Sequence, residues 1–113
     1  MTAGATAIRV DDLRRGESLV FEGADFGGVG ASFFLVRATP GRGPAPHTHP
    51  YQEVWVLDEG EASFTVGDET LTAGPGSVVV APAGVPHAFT NVGDVPLRMI
   101  CIHPRGRMET AWA

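Results

Sequence analysis

The sequence contains one cysteine, Cys101, so a disulfide within the chain is excluded. It also lacks a long apolar run. The most apolar stretch, residues 77–85, is broken by Pro82 and Gly84 and is far shorter than the about 20 residues a membrane helix needs. The first six residues have neither the basic start nor the apolar stretch of a signal peptide, so the expected location is the cytoplasm and residues 1–6 are expected to be disordered. Positive charge is scarce as well. Lys plus Arg total 8 against 13 for Asp plus Glu, a net charge of −5, and no basic run is present to follow a phosphate backbone. Nucleic acid is therefore not an expected partner.

Uninterrupted length is a further shortage, because 15 Gly and 9 Pro punctuate 113 residues every few positions. That spacing disfavours helices and suits short strands joined by turns. Hydrophobic residues at 43% and charged residues at 19% are enough for one buried core, and the length fits a single domain over 1–113. Strands are expected at 18–22, 31–39, 52–57, 62–66, 69–71, 77–81, 87–91 and 97–103. Gly67-Asp68 sits between two of them as a tight hairpin turn. Helical pieces are expected only at 10–15 and 108–112.

Chemistry concentrates in a few residues. His47 and His49 lie two apart, so on an extended chain both imidazoles point to one side. Glu53 follows, and along 53–57 it shares a face with Trp55 and Leu57. Pro82-Ala83-Gly84-Val85-Pro86 forms a rigid turn ahead of His87, which opens a new extended run through Phe89. Three imidazoles and a carboxylate suit one divalent transition metal, of the Fe, Mn, Ni, Zn, Co or Cu type, with positions left for water or substrate. Gln52 competes with Glu53, since a shift of one residue in strand register exchanges which of them points inward. Along 97–103, Met99, Cys101 and His103 share one face and Arg98, Ile100 and Ile102 the other, and either set fits the interior. Cys101 reads as a small buried hydrophobe, while His103 is open between a pocket residue and a surface histidine.

Two motifs tie these residues together. The first is Gly41, His47, His49, Glu53 and Gly60; the second is Gly76, Pro82, Gly84, His87 and Asn91. In spacing and order the sequence resembles the cupin family over about residues 31–103. The resemblance implies an all-β, single-domain jelly roll (a double-stranded β-helix) with a metal inside on His47, His49, Glu53 and His87. It also implies a structural Asn91, and turns at the motif glycines. Cupins include dioxygenases, isomerases, decarboxylases, lyases, cyclases and non-catalytic binding domains, so the fold leaves the reaction open. The leading expectation is a metal-dependent enzyme on a small organic molecule, of oxygenase (dioxygenase-like oxidoreductase) or isomerase/cyclase type, with Glu53 as the catalytic base. The alternative is a non-catalytic small-molecule binding or sensing domain. Trp55, Phe89, Arg37 and His103 are the expected substrate pocket, Arg37 as a partner for a substrate carboxylate. A homodimer is expected, formed through sheet edges, swapped N-terminal strands or the apolar 108–112 tail.

Overall fold

The computed structural model describes residues 4–113; the expectation of disorder over 1–6 falls partly on residues 1–3, which lie outside the described residues. Short strands alternate with Gly- and Pro-bearing turns along the whole described chain. They are β1 (Arg14–Arg15), β2 (Ser18–Glu22), β3 (Ser32–Ala38), β4 (His47–Thr48), β5 (Glu53–Glu59), β6 (Ala62–Val66), β7 (Glu69–Ala73), β8 (Val78–Ala81), β9 (His87–Asn91), β10 (Leu97–His103) and β11 (Ala111–Trp112). Six form one antiparallel sheet in the order β1-β2-β3-β10-β5-β8, and five form the other in the order β11-β4-β9-β6-β7. The fold is the expected all-β jelly roll. Because the chain after β3 crosses repeatedly between the sheets, with only β6 and β7 consecutive in one of them, residues far apart in sequence meet inside the barrel.

Period-two alternation decides which side chains enter the core. On β10 the buried residues are Leu97, Met99, Cys101 and His103, so the sulfur-bearing face looks inward and His103 is an interior residue. On β5 the inward set is Glu53, Trp55 and Leu57, which pack with Phe64, Val79, Ala81 and Phe89 from the neighbouring strands. Gln52 is exposed, so the register selects Glu53. Gly67-Asp68 makes the expected hairpin, with Val66 paired to Glu69 across it. Gly60 turns the chain at φ +84°, and an added Cβ would stand 3.0 Å from the Pro96 carbonyl oxygen, so glycine is needed there twice over.

Two expectations are corrected. Residues 108–112 are not helical: Ala111 and Trp112 pair with Thr48 and His47, and the Ala113 amide donates to the Pro46 carbonyl at 3.0 Å. The open edge of β4 supplies partners that a five-residue helix cannot match. Residues 10–15 form a single 3-10 turn, Val10–Leu13, and then strand β1. β4 itself was too short to be visible as a strand in the sequence.

Candidate metal centre

His47 lies on β4, His87 opens β9, His49 follows β4, and Glu53 opens β5. His47 pairs directly with His87 in the ladder, which sets their rings 4.5 Å apart. One donor atom from each of the four residues lies within 4.8 Å of all the others, and all four residues are buried. Their inner atoms are close but unpartnered. His49 Nε2 stands 3.1 Å and His87 Nε2 3.0 Å from Glu53 Oε1, yet none of the three atoms has an aligned hydrogen bond.

The outer nitrogens explain this. His47 Nδ1 lies 2.8 Å from the Ala45 carbonyl oxygen, His49 Nδ1 2.7 Å from that of Glu109, and His87 Nδ1 3.1 Å from that of Val85. A carbonyl only accepts, so each Nδ1 carries the hydrogen, and in the neutral ring each Nε2 presents a lone pair inward. Two such lone pairs beside a carboxylate oxygen repel unless a cation sits among them. Donor atoms bound at right angles to one metal at about 2.1 Å are themselves about 3 Å apart, the spacing found here. The residues therefore fit a divalent metal, with backbone carbonyls fixing each imidazole as metal sites require.

Glu53 is held from its other side. Trp55 Nε1 donates to Oε2 at 3.0 Å, and His103 Nε2 approaches the same oxygen at 3.2 Å. The Tyr51 hydroxyl hydrogen-bonds His103 Nδ1 and accepts the Glu109 amide at 3.2 Å. Burial pushes the Glu53 carboxyl up, but His103, His49 and His87 outweigh it, so the group stays ionised well below the carboxylate range. The same charge acts on His49: burial pulls the imidazolium down, while Glu53 and the Glu109 carbonyl raise it above its ordinary value. His47 is lowered by burial, with the neighbouring His87 and His49 adding to the effect. The cluster thus holds one fixed negative charge and attracts a positive one.

A cavity of about 580 Å³ opens from this cluster, with His47, His49, Glu53 and His103 at the donor end and Phe34, Val36, Phe89, Cys101 and Trp112 among its walls. Burial holds the Cys101 thiol well above its usual value, so it serves as wall and not as nucleophile. Of the expected pocket residues, Phe89 and His103 line the cavity. Trp55 stands behind the donor set, fully buried, with its ring edge-on to His87 at 5.1 Å. Arg37 borders the cavity but is exposed and alternates with the inward-packed Phe34, Val36 and Ala38, which sets its side chain on the outer side of β3. Tyr51, Glu109 and Trp112 were not anticipated. Tyr51 had a signal, since it shares parity with His47, His49 and Glu53; the other two act largely through backbone atoms or tail position.

Residues 34–103 match the family model described as a cupin domain, well over half of the chain. The chain belongs to the cupin family. This cupin is 34% identical over 94 residues to a dimethylsulfoniopropionate lyase, DddQ, of Ruegeria pomeroyi, covering 82% of this chain and 46% of that protein. It is also 41% identical over 54 residues to an uncharacterized protein of Streptomyces coelicolor, 48% of this chain and 50% of that one. The chain spans about half the length of these curated relatives. Among solved structures, an uncharacterized protein with a double-stranded beta-helix domain from Klebsiella pneumoniae superposes with TM-score 0.78 at 25% identity, covering 100% of this chain and 97% of the other. An oxalate decarboxylase variant of Bacillus subtilis superposes with TM-score 0.83 at 22% identity over 92% of this chain and 31% of that one, a likeness of fold alone.

The remaining motif residues of this cupin support the donors without touching them. Asn91 Nδ2 donates to the Ala38 and Val95 carbonyls at 3.0 and 2.8 Å, and its Oδ1 accepts the Gly93 amide at 2.9 Å. It ties β9 to the end of β3 and is structural. Gly84, at φ +73°, donates its amide to the His49 carbonyl at 2.8 Å and so pins the turn before His87 against the other histidine segment.

Proposed function

We propose that this cupin is a metal-dependent enzyme, one domain over 1–113, that acts as a cytoplasmic homodimer on a small organic molecule. The reaction is of oxygenase or isomerase/cyclase type. The observation that carries the reading is the inward set of unpartnered donors on His49, His87 and Glu53, with His47 beside them, at the end of an open cavity. His47, His49, Glu53 and His87 would hold one divalent transition metal. Such a metal supplies Lewis acidity and an open coordination position for a substrate oxygen or dioxygen.

The chain's own residues do the rest. Glu53 borders the cavity and is the carboxylate placed to act as base once substrate and metal have drawn His49 and His87 away from it, and the Trp55 N–H fixes the oxygen that is not turned to those two rings. His103, braced by Tyr51, touches that same oxygen and lines the cavity, which places it to take the proton onward. Phe34, Val36, Phe89 and Trp112 favour a substrate with an apolar body and exclude water around it. The lyase of Ruegeria pomeroyi, an enzyme by its name, supports a catalytic reading over a purely binding one.

The test begins with elemental analysis of protein purified without chelator. About one equivalent of a single transition metal per chain is expected. Oxygen uptake, isomerisation and elimination are then screened with Fe-, Mn-, Ni- and Zn-loaded protein, dimethylsulfoniopropionate included among the substrates. Turnover that disappears in Glu53→Gln supports the enzyme; a metal-loaded protein that captures a small molecule from extract and returns it unchanged favours the binding domain instead.

A further inference from the structure

The cavity is long, and its two ends differ in charge. β3 and β10 are paired from Ser32 opposite His103 to Ala38 opposite Leu97, so the inward residues Phe34, Val36 and Ala38 step away from the donor cluster in that order. On the facing sheet β9 also leads away from the donors, from His87 through Phe89 to Asn91, about 13 Å over four steps of about 3.3 Å. At this far end the chain passes through Gly41-Arg42-Gly43, pressed flat on β9. The Gly41 amide donates to the Asn91 carbonyl and the Asn91 amide to the Arg42 carbonyl, each at 2.9 Å, and the Arg42 amide donates to the Thr39 carbonyl at 3.1 Å. A Cβ on Gly43 would stand 1.8 Å from the Phe89 carbonyl oxygen, so only glycine allows this approach. The backbone of Arg42 is therefore fixed, and its side chain is what the mount presents. Arg42 borders the cavity, is exposed, and makes no ion pair or side-chain hydrogen bond among the described residues, whereas Arg15, Arg105 and Arg107 are each paired with a carboxylate. Glu17 borders the same end; two steps beyond the Leu19–Leu35 pair, the β2–β3 register sets it opposite Arg37, which gives it a cationic neighbour of its own.

We propose that Arg42 anchors the carboxylate of an elongated substrate whose reacting end lies at the donor cluster and whose middle is apolar. The proposal rests on the metal-dependent reading given above and names its substrate class. A guanidinium meets a carboxylate with two parallel N–H···O bonds, which fixes direction as well as charge. Arg37 stays on the outer side of β3, so one guanidinium serves this end, and that suits a single carboxylate better than a doubly charged phosphate. Size points the same way. A cavity of about 580 Å³ falls in the range of about 300–1,000 Å³ that holds ligands much larger than a two-carbon acid. A short diacid held at the donors would leave Arg42 and most of the apolar wall untouched. Phe34 and Val36 from β3 and Phe89 from β9 line the path between the ends, so an aromatic ring or a hydrocarbon chain fills it. The substrate is thus a carboxylic acid with its charge remote from the reacting atoms, and Arg42 is a specificity residue that orients it without touching them.

Calorimetric titration of the zinc-loaded full chain with two probes tests this. One is para-carboxyethyl benzohydroxamate and the other is its primary carboxamide; both carry the same metal-seeking head and the same ring, and they differ only in charge at the far end. The wild type is expected to bind the carboxylate about tenfold more tightly than the carboxamide, as a charge-assisted pair at a partly enclosed site provides. In Arg42→Gln that preference is expected to disappear while carboxamide binding stays unchanged, and Arg42→Lys is expected to restore part of it. Arg98→Gln, an exposed arginine on the outer side of β10, is the control and is expected to keep the preference in full. Arg42 is exposed, so glutamine there is accommodated by the fold, as far-UV circular dichroism verifies. A wild type without the preference, or a preference that survives Arg42→Gln, overturns Arg42 as the anchor and leaves the metal centre standing. A zinc-loaded chain that binds neither probe overturns the cavity as the seat of an elongated ligand. A chain that takes up no zinc overturns the metal reading itself, which elemental analysis before the titration distinguishes from the other two failures.

Discussion

Glu53 is the one carboxylate among the rings of His47, His49, His87 and His103, which are all four histidines of the chain. Its two oxygens have separate tasks, Oε1 toward His49 and His87, and Oε2 toward Trp55 and His103. Replacing the Trp55 indole by Phe removes the aligned donor to Oε2 while leaving every metal donor in place. Trp55→Phe is therefore expected to lower metal affinity about 10- to 100-fold, the usual effect of losing a group that orients a ligand. Competition with a chromophoric chelator measures it, and unchanged affinity would mean that Trp55 only fills the barrel. Glu53→Gln, which keeps the shape and loses the charge, is expected to weaken binding further. At this scale the sequence was informative where parity applies: Glu53 and not Gln52 turns inward because β5 alternates from residue 53 onward. It was silent on Trp55 as a donor, since nothing in a strand pattern shows that an indole N–H will meet a carboxylate two residues earlier.

The C-terminal segment is an element that the local pattern misrepresented, because its structure comes from distant partners. Ser32 Oγ donates to the Arg105 carbonyl, the Ala24 amide to that of Gly106, and the Met108 amide to Glu22 Oε2 at 2.9 Å. Then Glu109 gives its carbonyl to His49, and Ala111 and Trp112 pair with β4. Deleting residues 109–113 removes the acceptor that holds the His49 tautomer, so metal affinity is expected to fall about tenfold or more, whereas Trp112→Ala, which keeps the backbone pairing, alters the cavity mouth only. Titration of both variants separates the two effects. The segment is also pH-sensitive through Glu22. Burial raises that carboxyl, but the Arg15 hydrogen bond, the Met108 amide and the Arg107 charge bring it below its ordinary 4.5. A depressed value in the folded state means that the unfolded chain binds the proton more readily. The stabilisation is thus complete above about pH 4.5 and is lost as pH falls through the folded value. Arg107 and Asp25 are half exposed and contribute little, whereas Glu53 is held lower still and adds its own loss in acid, so Glu22→Gln is expected to remove only part of the acid limb, the part nearest pH 4.5, in melts taken between pH 3 and 6. A limb identical to the wild type would assign it to other groups.

At the scale of the molecule, the donors come from both sheets: His47 and His87 from β4 and β9, Glu53 from β5, with His49 on the loop between. This arrangement was legible in the sequence only through the two motifs, which record residues 34 positions apart as one site; the jelly-roll order that joins them is a property of topology. Its consequence is that a metal held by these donors would tie the two sheets together at one end of the barrel. Without it, the folded state buries unpartnered nitrogens on His49 and His87 beside a carboxylate, an arrangement that the unfolded chain does not suffer. Binding to the folded form alone at a thousandfold excess over Kd adds about 4 kcal/mol, which for a chain of this size raises Tm by about 10–20 °C. Chelation is therefore expected to lower Tm by that amount and re-addition to restore it. His87→Ala should melt at one temperature with or without metal, because its inward lone pair is gone and the β4–β9 end of the site is open. A wild type whose melting ignores both chelator and metal would show that the sheets are held by packing alone, and the donor cluster would then have to be read as a buried polar network whose charge is balanced by protons on the imidazoles.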